Sequence, residues 1–114
     1  MKLPIKLDRP IAFFDLETTG LDPKRDRIVE LAIILLSPDK DDFQRVRRFS
    51  PGIPIHPEAS AVHGIFDEDL VKEAPFESRA RNLFRLLDPC DLGGFNVRRF
   101  DLPMLIAEFA RCGI

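Results

Sequence analysis

Two carboxylates interrupt an apolar stretch near the N-terminus, in the segment FFDLETTG. Asp15 and Glu17 follow strand-forming residues, and neither has a basic neighbour in the sequence. Residues i and i+2 of a strand point to the same side, so both side chains are expected to project together at the end of a strand predicted over residues 11–15. An unpaired buried carboxylate is costly. The pair therefore needs a metal ion, a distant basic side chain or exposure to water, and this segment alone leaves all three open.

Apolar periodicity and turn-forming residues predict the element order β-β-β-α-β-α, which is an α/β class. Three strands joined by short turns suggest an antiparallel start, and a helix then crosses over to a further strand. The strands are predicted at 11–15, 27–36, 43–49 and, weakly and interrupted by glycine, 91–96; helical segments are predicted at 57–62, 67–72, 76–88 and 102–112. The last helix has no later strand to pack against, so the pattern resembles the first part of a larger domain.

Length and composition set limits without identifying a function. A chain of 114 residues forms one domain at most. The net charge of −2 gives no overall attraction to nucleic acid, although local clusters of basic residues still can. No apolar run is long enough for a transmembrane helix and no signal peptide is recognisable, so we expect a cytoplasmic protein with no membrane partner.

A third carboxylate, Asp101, follows the predicted fourth strand and stands near the start of the last helix. If the fourth strand lies beside the first, Asp101 can join Asp15 and Glu17. Three oxygen ligands on different elements suit Mg²⁺ or Mn²⁺ better than zinc. The alternative is that Asp15 caps a turn, Glu17 is solvated and Asp101 is an ordinary helix cap.

Four segments carry a family resemblance: FFDLETTGLDP, RIVELAII, PEASAVHGI and GFNVRRFDLPML. In order and spacing they resemble the DEDD-type 3′–5′ exonucleases, of the histidine subtype, the family of the proofreading epsilon subunit of bacterial DNA polymerase III. The resemblance implies a ribonuclease H-like fold, a mixed sheet flanked by helices. It also implies hydrolysis of terminal phosphodiesters of DNA or RNA supported by two Mg²⁺ or Mn²⁺ ions.

The resemblance assigns roles to individual residues. It makes Asp15, Glu17 and Asp101 the catalytic metal ligands. It places the terminal nucleotide against Thr18, Thr19, His63 and Phe100. For Phe100 a place in the core is the alternative, and for His63 a structural role at a helix end. His56, between two prolines, is expected to be a plain loop residue.

Basic residues occur in three groups, namely Arg45, Arg47 and Arg48; Arg79, Arg81 and Arg85; and Arg98 with Arg99. Arg98 is expected to meet a phosphate backbone, because it stands just before the two predicted site residues Phe100 and Asp101. The middle group is expected to be a solvated helix face.

The sequence departs from the family in one respect. The third motif, a His followed five residues later by an Asp, is expected some 50 residues after Asp101, and the sequence ends at Ile114. We therefore expect residues 1–114 to form a single incomplete exonuclease domain, lacking the C-terminal part of the fold and inactive or nearly so by itself. The alternatives are a nucleic-acid-binding or interaction module without catalysis and a metal-free scaffold. A DNA polymerase partner and self-association through an exposed sheet edge are both compatible with the sequence.

Overall fold

The computed structural model describes residues 8–94 and 97–114, without the side chains of Val97 and Arg98. In these residues three strands come first, and two α-helices, the fourth strand and a third α-helix follow. They are β1 (Ile11–Thr18), β2 (Ile28–Leu36), β3 (Phe43–Arg48), α1 (Pro57–His63), α2 (Glu77–Leu87), β4 (Asp91–Gly93) and α3 (Leu102–Arg111). A 3₁₀ turn at Asp67–Leu70 precedes α2, and a π-helical turn at Val97–Asp101 leads into α3.

The strands form one mixed sheet in the order β3-β2-β1-β4. β1 pairs antiparallel with β2, and β2 antiparallel with β3. β4 pairs parallel with β1, as a crossover through α2 requires. The predicted α/β class and the antiparallel start are confirmed, and β4 lies beside β1, which is the condition under which Asp101 can approach Asp15 and Glu17.

The first strand is longer than predicted, and this changes the setting of the two carboxylates. β1 continues to Thr18, so Asp15 and Glu17 lie within the strand and not at its end. Asp15 is in register with Ala32, and Glu17 with Glu30, before the register shifts between Glu17 and Thr18. The expectation of a strand end was wrong because pairing with β2 keeps this polar segment extended.

On its other side β1 is paired for a much shorter distance. Among the described residues, β4 pairs with Ile11 to Phe13. Gly94 follows with φ 143°, and a Cβ there would lie 2.6 Å from the carbonyl oxygen of Phe14. Only glycine fits this close approach. Residues 95 and 96 of the predicted strand lie outside the described residues.

Alternation along β1 separates a core face from an open face. Ala12, Phe14 and Leu16 are buried, whereas Phe13 and Asp15 are exposed. The main core joins the buried residues of β1 and β2 to apolar residues of α2 and α3, among them Leu83, Leu87, Met104, Leu105 and Phe109. In the described part of the chain no helix is long and apolar enough to cross a membrane.

Candidate metal and nucleotide site

The sheet brings Asp101 close to the carboxylates of β1. Asp101 ends the π-helical turn and stands at the N-terminus of α3, where the chain returns after β4. It is buried, with only 2% of its surface exposed. Its Oδ2 atom has no hydrogen-bond partner among the described residues. A buried carboxylate oxygen without a partner is costly, and the fold retains it next to further negative charge.

The three carboxylates influence one another electrostatically. Burial, followed by the charges of Asp15 and Glu17, raises the pKa of Asp101 to about 6. Burial and then the charge of Asp15 also raise the pKa of Glu17, while nearby His63 partly opposes this. Raised carboxyl pKa values beside further negative charge are typical of functional sites, including sites that bind a cation.

The donor set fits a hard divalent cation, because all the ligand atoms it offers are carboxylate oxygens. Within residues 8–94 and 97–114, however, no three His, Cys, Asp or Glu side chains are arranged to hold one metal ion. Asp101 is near enough to Asp15 and Glu17 to interact with them electrostatically, but the described side chains do not form a closed ligand set.

A cleft of about 850 Å³ opens beside this cluster. Glu17 lines it, together with the loop that follows β1, the first helix and Phe100. The wall is largely apolar, with Leu16, Leu21, Pro23, Ala59 and Val62 contributing. Polar and charged residues also line it, among them Glu17, Thr18, Arg25, His56 and His63. A cleft that combines an apolar wall with polar groups is typical of a ligand site.

The loop after β1 is held by a buried hydrogen-bond network. Thr18 Oγ1 donates to the carbonyl oxygen of Gly20 at 2.6 Å, and Thr19 Oγ1 donates to Asp26 Oδ1 at 2.8 Å. The backbone of Thr19 donates to the carbonyl of Arg27 and accepts from the N–H of His56. The backbone and hydroxyl of Thr19 are thus engaged within the protein. Thr18 lines the cleft, whereas Thr19 is fully buried behind it.

Asp26 is the centre of that network, and the sequence analysis did not single it out. Its Oδ2 accepts the N–H of Asp22 at 2.9 Å, and its Oδ1 accepts His56 Nε2–H at 3.1 Å in addition to Thr19. Burial by itself raises the pKa of Asp26, but the hydrogen bonds and the His56 charge outweigh it and hold the pKa below its usual range. A Cβ on Gly20 would lie 2.5 Å from Asp26 Oδ2 and collide with His56. The glycine therefore lets the loop close over the buried acid.

His56 also differs from its expectation as a plain loop residue. It joins the loop after β1 to the start of α1 through its backbone and its ring, and it lines the cleft. The only sequence signal for it was its position just before Pro57 at a helix start. Its partner Asp26 is distant in sequence, so local patterns could not reveal the pair.

His63 lies at the cleft, at the end of α1, with both ring nitrogens engaged. Nε2–H donates to the carbonyl of Thr18 at 2.9 Å, and Nδ1 accepts the N–H of Ile65 at 3.1 Å. Both ring nitrogens are therefore committed to partners within the protein. Its ring remains part of the cleft wall.

The other predicted nucleotide contacts are only partly described. Phe100 is half-buried and serves two purposes, because it lines the cleft and packs against the main core. Arg98 lies in the π-helical turn, but its side chain lies outside the description.

The family model described as exonuclease matches residues 12–114, which include every residue of the cluster and the cleft. The chain belongs to the exonuclease family.

Curated relatives agree with this assignment. The chain is 32% identical over 104 residues to the 3′-5′ exonuclease DinG of Bacillus subtilis, and the match covers 87% of the chain and 11% of that protein. It is 32% identical over 103 residues to the DNA polymerase III subunit epsilon of Treponema pallidum, covering 87% of the chain and 46% of that protein. The chain therefore spans less than half the length of either relative.

A solved structure confirms the fold. The zinc ion-bound form of the E. coli ExoI–ssDNA complex superimposes with a TM-score of 0.82 at 22% identity, covering 93% of this chain and 24% of that one. The predicted ribonuclease H-like mixed sheet is confirmed.

Proposed function

We propose that this chain supplies the metal-binding part of a 3′–5′ exonuclease site, with Asp15, Glu17 and Asp101 as ligands for Mg²⁺ or Mn²⁺. The observation that carries the proposal is the buried Oδ2 of Asp101, which has no hydrogen-bond partner among the described residues and lies near two further carboxylates. The family and its 3′-5′ exonuclease relatives support the reaction class.

The bound ions in such a site supply an activated water and neutralise the charge of the departing 3′ oxygen. The chain's own contribution is placement. Strand β1 holds Asp15 and Glu17 on one side of the sheet, and the turn before α3 brings in Asp101. One proposed ligand, Asp101, is therefore buried, and another, Asp15, is exposed to solvent.

The cleft accounts for binding of the terminal nucleotide. Phe100, Leu21 and Val62 present apolar surface at its wall, and Leu21 and Val62 are largely exposed. Stacking of a base on an aromatic ring contributes about 1–3 kcal/mol and does not depend on base identity. We assign base packing to Phe100 and expect Thr18 and the His63 ring to contact the nucleotide beside it. Arg98 stays a proposed phosphate contact.

The second candidate is a nucleic-acid-binding module without catalysis. It is favoured by the open arrangement of the carboxylates, since no three acids among the described residues are positioned to hold an ion as they stand. A general base contributes about 10²–10⁴-fold in rate, and the family resemblance assigns that role to none of these 114 residues. We therefore propose slow turnover by these residues when tested by themselves. A DNA polymerase partner is proposed from the epsilon relative only.

The two candidates differ in a metal-dependent assay. Single-stranded DNA and RNA labelled at the 5′ end would be incubated with the protein and Mn²⁺, beside Asp15→Asn and the exposed control Asp41→Asn. The exonuclease proposal expects products shortened stepwise from the 3′ end by the protein and the control, and none with Asp15→Asn.

A second readout does not depend on turnover. Binding of thymidine 5′-monophosphate, a mononucleotide product, is expected to require Mn²⁺ and to be lost in Asp15→Asn. If the affinity for the nucleotide is the same with and without Mn²⁺ and in Asp15→Asn, and no DNA or RNA is shortened from its 3′ end, the binding module is supported instead.

A further inference from the structure

The structure joins two groups of arginines that lie far apart in the sequence. Arg45 and Arg47 belong to β3, and Arg79 belongs to α2. All three line one groove of about 190 Å³ between that strand and that helix. We call it the basic groove; its other lining residues are Leu31, Ile33, Phe43, Phe49, Asn82, Leu83 and Leu86.

The groove contains cations without matching anions. No acidic residue lines it, and among the described residues none of the three arginines forms an ion pair with a carboxylate. An adjoining depression of about 360 Å³ shares Arg47 and Arg79, and it adds Arg48 with one acid, Glu73. Arg48 is already paired with Glu30 at 2.8 Å. Three unpaired guanidinium groups that face one groove repel one another unless an anion lies between them.

The position of the groove leaves it open. β3 is at one edge of the described sheet, and most of its residues, including Arg45 and Val46, are exposed. β2 lies between β3 and the carboxylate-bearing strand β1, and the groove shares no lining residue with the cleft beside Glu17. It is therefore a second surface and no part of the cleft beside Glu17.

Aromatic side chains accompany the arginines. The guanidinium of Arg45 lies over the ring of Phe43, 5.1 Å from its centroid, and buried Phe49 is also among the lining residues. Planar guanidinium groups match phosphate oxygens in a bidentate manner, and arginines beside aromatic rings are typical of surfaces that follow a nucleic-acid strand.

We propose that the basic groove binds the phosphate backbone of single-stranded nucleic acid outside the carboxylate site. The choice of nucleic acid as the polyanion rests on the proposed function; the anionic character of the ligand rests on the arginines alone. The middle group of arginines is thus divided, with Arg79 in the groove and Arg81 and Arg85 on the exposed side of the helix.

The test is the salt dependence of binding. A fluorescent dT oligonucleotide would be titrated by anisotropy in EDTA, so that neither metal binding nor hydrolysis contributes. Each phosphate contact on a single strand adds about 0.7 to the slope of log K against log salt, so Arg45→Gln/Arg47→Gln/Arg79→Gln is expected to lower the slope by about 2. At 0.1 M salt this corresponds to an affinity loss of about 100-fold.

The matched control removes three charges from exposed positions outside the groove, as Lys72→Gln/Arg81→Gln/Arg85→Gln. It is expected to change the slope by less than half as much. An equal loss in both triple variants, an unchanged slope in the groove variant, or tighter binding of an oligoglutamate peptide than of the oligonucleotide would each overturn the proposal.

Two features keep the result interpretable. If the groove variant melts at a lower temperature than the control, single substitutions at the exposed residues Arg45 and Arg79 replace it, each with an expected slope change of about 0.7. The use of EDTA is the second feature. Without a divalent ion the carboxylates cannot contribute through a bound metal, so failure of the metal site leaves this result intact.

Discussion

Arg27 donates a hydrogen bond from Nε to Oε1 of Glu108 at 2.9 Å and thereby joins the start of β2 to α3. Glu108 is 1% exposed, and its Oε2 also accepts the backbone N–H of Ile28 at 3.1 Å. Arg111 adds a second guanidinium at 2.7 Å. Because α3 begins directly after Asp101, this buried carboxylate fixes the helix that carries the inner site residue.

Glu108→Ala is expected to destabilise the protein by about 3–5 kcal/mol, since it leaves a partly buried guanidinium and a buried N–H without their partner. Urea unfolding measures the free energy. Glu30→Ala, which breaks the more exposed pair with Arg48, is the control and is expected to cost less than about 1 kcal/mol. Equal costs for the two substitutions would contradict the account.

Asp26→Asn is expected to destabilise the protein at pH 7 by about 1–3 kcal/mol, because an amide in place of Oδ2 faces the N–H of Asp22 with a second donor. The pKa of Asp26 is lowered from 3.8 by its hydrogen bonds, despite its burial. The stabilisation by Asp26 is therefore present above pH 3.8 and is lost as the pH falls through its lower folded-state pKa.

The difference in unfolding free energy between Asp26→Asn and the parent protein should accordingly shrink on acidification. Urea unfolding at pH 7 and near pH 3 measures it, with exposed Glu58→Gln at the same cleft as the control. A difference that is the same at both pH values would show that the charge of Asp26 has no part in holding the loop.

Asp101→Asn is expected to stabilise the protein at neutral pH when no metal is present. Burial and the two neighbouring carboxylates raise the pKa of Asp101 from 3.8 to about 6, so the folded state binds this proton more tightly than the unfolded state. Stability is thus lost as the pH rises from about 4 to about 6, and the substitution removes that loss. Each pKa unit corresponds to about 1.4 kcal/mol, which sets an upper limit of about 3 kcal/mol.

Thermal unfolding in EDTA at pH 5 and pH 7.5 checks this expectation. The stabilisation by Asp101→Asn should be larger at the higher pH, and exposed Asp41→Asn should change stability by less than about 0.5 kcal/mol. A variant less stable than the parent at pH 7.5 would mean that Asp101 is an ordinary structural acid.

Local sequence patterns predicted the element order and the antiparallel start, since hydrophobic periodicity and turn residues act over short distances, whereas the mixed sheet was implied by the family resemblance. They misplaced the end of β1, because pairing with β2 extends the strand through Asp15 and Glu17. The pairs Asp26–His56 and Arg27–Glu108 were not foreseen, because their partners are 30 and 81 residues apart. Neither was the basic groove, which exists only when β3 and α2 are packed together.

The electrostatic proximity of Asp101 to Asp15 and Glu17 could be expected for a different reason. Two of them share a strand face, and the third follows the strand that pairs with it. The environment of Asp101 could not be predicted from the sequence. Its burial, and the lack of a hydrogen-bond partner for its Oδ2 among the described residues, depend on the packing of α3. The sequence alone does not show whether an acid is buried or is a solvated helix cap, or whether its oxygens have hydrogen-bond partners.

Titration calorimetry with Mn²⁺ tests the central claim most directly, using the folded protein at pH 7.5 beside Asp15→Asn, Asp101→Asn and the control Asp41→Asn. The account predicts binding by the parent and the control and a loss of at least tenfold in affinity for each site variant. No binding by the folded parent, or unchanged binding by both site variants, would contradict the claim that these carboxylates form a metal site.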